Sequence, residues 1–209
     1  AIVLGVATGV VAAWWRGTFL EKGTTLTGMT FYSMPTQWLG LILILVFSTT
    51  LGWFPSGGME STGLNAEELI LGIEPSTWDR VSDMVSHIVL PASTLGLVLY
   101  GEYTLFTRSA LLETMGEDYI LTAKAKGLSS RRVLQRHALR NAMLPIATLV
   151  ALSLGFIAAG SILVESVFSW PGVGLLTYEA IQNRDYPMLQ AAFLVITLSV
   201  IFFNLLADL

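Results

Sequence analysis

The residues able to do chemistry in this chain are few and unevenly placed. There is no cysteine, so disulfides, thiolate metal sites and cysteine nucleophiles are excluded. His87 and His137 are the only imidazoles, and neither His-Glu-x-x-His nor Gly-x-Ser-x-Gly occurs. The polar residues concentrate instead in Asp118-Tyr-Ile-Leu-Thr-Ala-Lys-Ala-Lys-Gly-Leu128 and the basic run after it, which ends at Asn141-Ala-Met-Leu-Pro145. Asp118 can cap a helix that Gly127 ends in a left-handed conformation. Tyr119, Thr122, Ala123 and Lys126 follow i, i+3, i+4, i+7 spacing and share one face. Ala123 and Ala125 are small, which lets a partner's surface approach closely. This is the chemistry of docking, not of bond making. A second helix begins near Ser129 or Ser130, with Arg132, Arg136 and Arg140 as a basic stripe facing lipid phosphates and Leu134 and Ala138 on another face.

The elements that position this loop are apolar. Of the 209 residues, 54% are hydrophobic and 12% charged, against about 25% charge in soluble domains. Runs without Asp, Glu, Lys or Arg extend over Ala1–Trp15, Gly23–Met59, Met84–Gly101, Asn141–Val164 and Tyr186–Ala207. A bilayer span needs roughly 17–25 such residues. The expected architecture is all-α and polytopic: one transmembrane domain over 1–209 with five spans, about 1–15, 27–52, 87–107, 142–164 and 187–207. A cytoplasmic loop of about 108–141 separates the third and fourth. The first run begins without an initiator Met, and the last ends almost at the terminus. Both features suggest a fragment cut inside its first helix and just after its last.

Charge sets the expected orientation. Arg16, Lys22 and seven residues of the central loop (Arg108, Lys124, Lys126, Arg131, Arg132, Arg136 and Arg140) make nine of the eleven basic residues. The Trp53–Ser86 loop has only Arg80 beside Glu60, Glu67, Glu68, Glu74, Asp79 and Asp83, and the Glu165–Pro187 loop has only Arg184. The positive-inside rule places the first two loops in the cytoplasm and the last two outside. His87 and His137 then lie on opposite sides and cannot share a metal.

Gly5-x-x-x-Gly9 is a close-packing pattern in lipid, and Trp14 and Trp15 suit an interfacial belt. Pro35 either kinks the second span or marks its true start. Asn65 and Glu68 have capping-box spacing for a helix in the outer loop. Glu102, near the inner end of the third span, has three readings: a pair with a basic group, a water-lined path, or a snorkel to the interface. Arg108 is too far along the helix for an ideal i,i+4 pair with it. Small residues from Ser153 to Ser161 permit close helix contact, and Trp170-Pro-Gly172 is a turn. Pro187 suits a first helical turn, and Asp185 the positive end of its dipole.

The central loop resembles the EAA motif of binding-protein-dependent ABC permeases: Glu-Ala-Ala, three residues, Gly, then a later Leu-Pro. Leu121, Thr122 and Ala123 occupy the Glu-Ala-Ala places, Gly127 the glycine, and Leu144-Pro145 the Leu-Pro. The leucine and the longer interval to Pro145 are like the peptide/nickel branch, which reads Tyr-x-x-Thr-Ala-x-Ala-Lys-Gly-Leu. Thr107-Arg-Ser109, His137-Ala-Leu-Arg-Asn141, Phe168-Ser-Trp-Pro-Gly-Val-Gly174 and Asn183-Arg-Asp-Tyr-Pro187 are similar to the same branch, the Trp-Pro-Gly form to its first permease subunit.

The resemblance implies a type I ABC importer transmembrane domain, lacking here one N-terminal span with its outer segment and a short cytoplasmic tail. It also implies that Asp118, Tyr119, Thr122, Ala123, Lys124, Lys126 and Gly127 form the ATPase-coupling loop. The implied partners are a second permease, two ATP-binding subunits and an extracytoplasmic binding protein, within the cytoplasmic (inner) membrane of a prokaryote and without nucleic acid. The chain lacks a P-loop, and ATP and Mg are expected on the partner subunits, with no cofactor or metal here and no enzymatic activity of its own. A secondary transporter or channel is the alternative. It needs polar residues converging at mid-membrane, and only Glu102 is a candidate. Peptide, nickel chelate, glutathione and oligosaccharide all remain open as cargo.

Overall fold

The structure is a computed structural model describing residues 1–61, 76–158 and 160–208. Among these residues every regular element is helical, as expected. The elements are α1 (Ile2–Trp14), α2 (Phe19–Ser33), α3 (Thr36–Leu43, continued by a π-helical stretch Ile44–Thr50), α4 (Thr77–Met115), α5 (Asp118–Ala125), α6 (Ser130–Val133), α7 (Leu139–Ala158), α8 (Ile162–Phe168), α9 (Val173–Asn183) and α10 (Tyr186–Asp208). A π-helical stretch, Leu134–Ala138, joins α6 to α7.

Three stretches are long and apolar enough to cross a bilayer: Thr77–Met115, Ser130–Ile157 and Tyr186–Leu206; α2 and α3 qualify together as a broken pair. The break falls at Met34, whose ψ of 126° is extended. The residue before a proline is pushed out of the helical region, so Pro35 starts a new helix instead of kinking one. The helix expected over 142–164 begins earlier and stops at Ala158; the chain resumes as α8 past Gly160, at φ +89°. The helix expected around Asn65 and Glu68 lies outside the described residues.

The described chain groups into two compact units. The first holds Ala1–Met34, Gly96–Leu154 and Phe203–Leu209. Here the Gly5-x-x-x-Gly9 pattern does what it predicts. A methyl on Gly5 would lie 2.7 Å from Tyr103 Cβ, and one on Gly9 would lie 2.6 Å from Thr107 Cβ. Helix α1 therefore rests directly on the second half of α4, and Thr8 and Thr104 share a hydroxyl hydrogen bond of 2.8 Å across that contact. Helix α2 approaches α4 through another glycine: a methyl on Gly101 would meet Gly28 O at 2.5 Å. The Phe31 and Tyr100 rings meet edge to face at 6.4 Å. Tyr103, fully buried, donates its hydroxyl proton to Ser153 Oγ at 2.9 Å. That bond satisfies a polar group which would otherwise be costly to bury.

The second unit holds Pro35–Leu95 and Gly155–Phe202. Its centre is Phe168, buried, with Gly40 of α3 against the ring and Gly58 N–H donating to the Phe168 carbonyl at 2.8 Å. The Trp170-Pro-Gly turn joins α8 to α9, and the Glu165 carboxylate ties the two. Glu165 Oε1 accepts from Ser161 N and Oε2 from Leu175 N, each at 2.9 Å. In the same unit Asp83 accepts from Ser61 N at 2.7 Å. Helix α10 packs little: only 6% of its apolar window is buried. A helix that apolar needs another solvent or partner for its surface.

Candidate functional site: the α5 element

The expected docking element lies wholly within the first unit. Helix α4 ends at Met115 and α5 starts at Asp118. The N-cap is Glu117, with ψ 149°, and not Asp118 as expected. Asp118 is instead the first helical residue, where its charge suits the positive helix end. The other end follows expectation. Gly127 has φ +78°. Its N–H donates to Lys124 O at 2.9 Å, and Leu128 N–H donates to Ala123 O at 3.4 Å. This pair of reversed bonds is a Schellman stop, which terminates a helix while satisfying its last carbonyls. Nothing lies within 4 Å of a methyl placed on Gly127, so glycine is required there by the backbone alone.

The two faces of α5 are reassigned by the structure. Ala123 is 6% exposed and Ile120 fully buried; they pack with Ala13, Leu111, Val133, Leu134, Ala138 and Ala142. Ala123 is therefore small because its own chain closes on it, not to admit a partner. The exposed face carries Asp118, Tyr119, Leu121, Thr122, Lys124, Ala125 and Lys126. Ile120, fully buried, is the residue of this element that the sequence reading missed. The signal for Ile120 is its i,i+3 spacing with Ala123; two apolar positions one turn apart mark the inward stripe.

Tyr119 links this element to α7. Asn141 Nδ2 donates to the Tyr119 hydroxyl oxygen at 2.8 Å. On one side of that bond is a hollow of about 360 Å³ lined by Ala110, Glu113, Thr114 and Glu117 as well as Tyr119, Asn141 and Pro145. On the other is a hollow of about 420 Å³ lined by Tyr119, Arg136, His137, Arg140, Asn141 and Leu144. One is acidic and the other basic. Leu134 and Ala138 are buried, as their separate face predicts. The arginine stripe, however, is not on a separate surface helix, because the chain from Ser130 runs on into α7.

Arg108 has a carboxylate partner, and it is Glu21 of α2, not Glu102. Among the described residues no group of three or more His, Cys, Asp or Glu side chains is arranged to hold a metal.

Residues 5–209 match the family described as binding-protein-dependent transport system inner membrane component. The chain is 41% identical over 212 residues to the di/tripeptide transport system permease protein DppB of Pseudomonas aeruginosa (strain UCBPP-PA14), covering 98% of this chain and 62% of that protein. It is 41% identical over 217 residues to the dipeptide transport system permease protein DppB of Escherichia coli (strain K12), covering 100% and 64%. It is 38% identical over 208 residues to the glutathione transport system permease protein GsiC of the same strain, covering 100% and 60%. The chain thus spans about three fifths of the length of the curated relatives it matches. The matched stretch takes in α5, its glycine stop and both compact units, and the chain belongs to the family of binding-protein-dependent transport system inner membrane components.

Proposed function

We propose that the protein containing this chain is a permease subunit, of the first type, in an ATP-driven importer of peptides or related small solutes, nickel chelates included. Five crossings, about 1–15, 27–52, 87–107, 142–164 and 187–207, leave the 108–141 loop in the cytoplasm of a prokaryote. The partners are a second permease, two ATP-binding subunits and an extracytoplasmic binding protein. ATP and Mg reside on the ATP-binding subunits, and this chain catalyses nothing itself. Dipeptide, di/tripeptide and glutathione systems among the relatives support peptide-like cargo.

The observation that carries the reading is α5: two helical turns anchored inward by Ile120 and Ala123, closed by Gly127, and mostly polar outward. An anchored helix with a free outer face can move as one body with the helices beneath it, which is what coupling to an ATPase requires. Tyr119, Thr122, Lys124 and Lys126 make the outer contact. Asp118 starts the helix, while Ala123 and Gly127 hold its position. The test is uptake into proteoliposomes by the full-length protein with its partner subunits. ATP-dependent uptake that stops when the ATP-binding subunits are omitted supports the reading; uptake driven by an ion gradient alone refutes it. Reporter fusions at Gly58 and Gly174 should report the outer side.

A further inference from the structure

Among the described residues the basic hollow beside α5 is lined by two arginines, three other hydrogen-bonding side chains and one apolar edge. Arg136 and Arg140 stand one turn apart, His137 and Asn141 form the neighbouring row, and Tyr119 closes the far wall. Neither arginine has an ion pair among the described residues. Among the described residues no carboxylate lines the hollow: Glu113 and Glu117 line the other one, which shares Tyr119 and Asn141 with it. The Asn141–Tyr119 bond sets the chemistry of the wall. Tyr119 accepts the proton of Asn141, so its own O–H is left to donate, and the amide keeps its second N–H. Two arginines, a tyrosine with its O–H left to donate and an asparagine with one N–H left line one space of about 420 Å³. Such a set matches a group with several acceptor oxygens and negative charge, and guanidinium binds phosphate in bidentate fashion.

We propose that this hollow binds the phosphate of an anionic phospholipid headgroup. Lipid is favoured over a soluble phosphate by the location. The hollow sits on the first turns of Ser130–Ile157, a stretch long and apolar enough to span. Its remaining lining residue is Leu144, 68% exposed, one turn nearer the apolar part of that helix. A headgroup in the hollow with its glycerol end at Leu144 satisfies both surfaces. Because Tyr119 belongs to α5, the bound lipid would brace the docking element against α7. The inference rests on the proposed function only in requiring that this helix be in a bilayer.

The test uses the full-length protein in its membrane assembly, extracted in mild detergent and incubated with phosphatidylglycerol or phosphatidylcholine. Retained lipid is counted by native mass spectrometry. Phosphatidylglycerol should be retained in preference. Arg136→Gln with Arg140→Gln should reduce its retention by about tenfold or more, as the loss of a charge-assisted hydrogen bond implies. Arg131→Gln with Arg132→Gln removes the same charge from the same region outside the hollow and should leave retention unchanged. Equal losses in the two double variants would mean a diffuse basic surface and overturn the site. Complete displacement by millimolar inorganic phosphate would assign the hollow to a soluble anion and overturn the lipid. Unchanged lipid with loss of an ATP-binding subunit would assign it to an acidic protein surface. Should the first double variant fail to assemble, Tyr119→Phe serves in its place. A severalfold drop in phosphatidylglycerol preference supports the site, and no change refutes it. Lipid retention is read without transport, so a failure of ATP-driven uptake leaves this result intact.

Discussion

Arg108 donates from both Nε and Nη2 to a single oxygen, Oε1 of Glu21. The other oxygen of Glu21 takes the N–H of Gly17 at 2.5 Å. Thr18 caps the same helix by accepting from Glu21 N. One carboxylate therefore closes the α1–α2 turn and pins it to α4 within the first unit. Either single substitution, Glu21→Gln or Arg108→Gln, leaves a charge without its partner and should lower the thermal midpoint in detergent. The double substitution should cost less than the sum of the singles. Strict additivity would show that the pair contributes no coupling.

Gly127→Val places a β-branched residue at φ +78°, where even an unbranched side chain costs roughly 1–2 kcal/mol. Gly127→Asn adopts that region far more readily. Uptake should fall in the valine variant and persist in the asparagine variant, with both inserted normally. Since a methyl there meets nothing within 4 Å, equal loss in both variants would point to a partner's surface at Gly127 instead of to the backbone.

Ala123 and Ala125 separate the two faces of α5. Ala123→Trp overfills the packing among Leu111, Ile120 and Val133 and should destabilise the protein by about 1–3 kcal/mol or more. Ala125→Trp adds bulk to an exposed position and should leave the melting temperature unchanged while weakening retention of the ATP-binding subunit. The measurements are thermal unfolding and co-purification; the reverse pattern would invert the assignment of the faces.

Glu165 and Gly172 form a steric pair. A methyl on Gly172 would lie 2.3 Å from Glu165 Oε2, although the glycine's φ of −129° is open to any residue. Gly172→Ala should therefore displace the carboxylate from Leu175 N. Glu165→Gln removes one of the two acceptor oxygens and should cost about 1.5–3 kcal/mol, the range for a hydrogen bond to a charged group. Protease sensitivity between α8 and α9 should rise in both variants. Resistance equal to the unmodified protein in Gly172→Ala would show that the turn has slack.

Which features were legible depends on how far each residue's reasons extend along the chain. Gly127 was legible because its requirement is its own φ. The Gly5-x-x-x-Gly9 pattern was legible as a close approach, but the residues approached, Tyr103 and Thr107, were not, since the pattern carries no address. The cap falls one residue before Asp118, at Glu117, whose side chain makes no capping bond, so backbone geometry and not a capping side chain sets that boundary. Glu102 is the carboxylate six residues before Arg108 on its own helix, whereas the partner of Arg108 comes from α2.

The chain's sequence alone determined the all-helical class, the apolar stretches, the segregation of basic residues and the position of a short polar helix stopped by glycine. Those follow from local backbone preferences and from the cost of placing charge in hydrocarbon, which depend on few neighbours. The tertiary structure alone decided what the inward face of α5 packs against, where Arg108 spends its charge, and that Glu165 reaches across ten residues to Leu175. It also decided that Asn141 and Tyr119 stand between an acidic and a basic hollow. Each of these requires segments distant in sequence to meet, and side-chain reach is only a few ångströms, so no pattern within one segment could specify them.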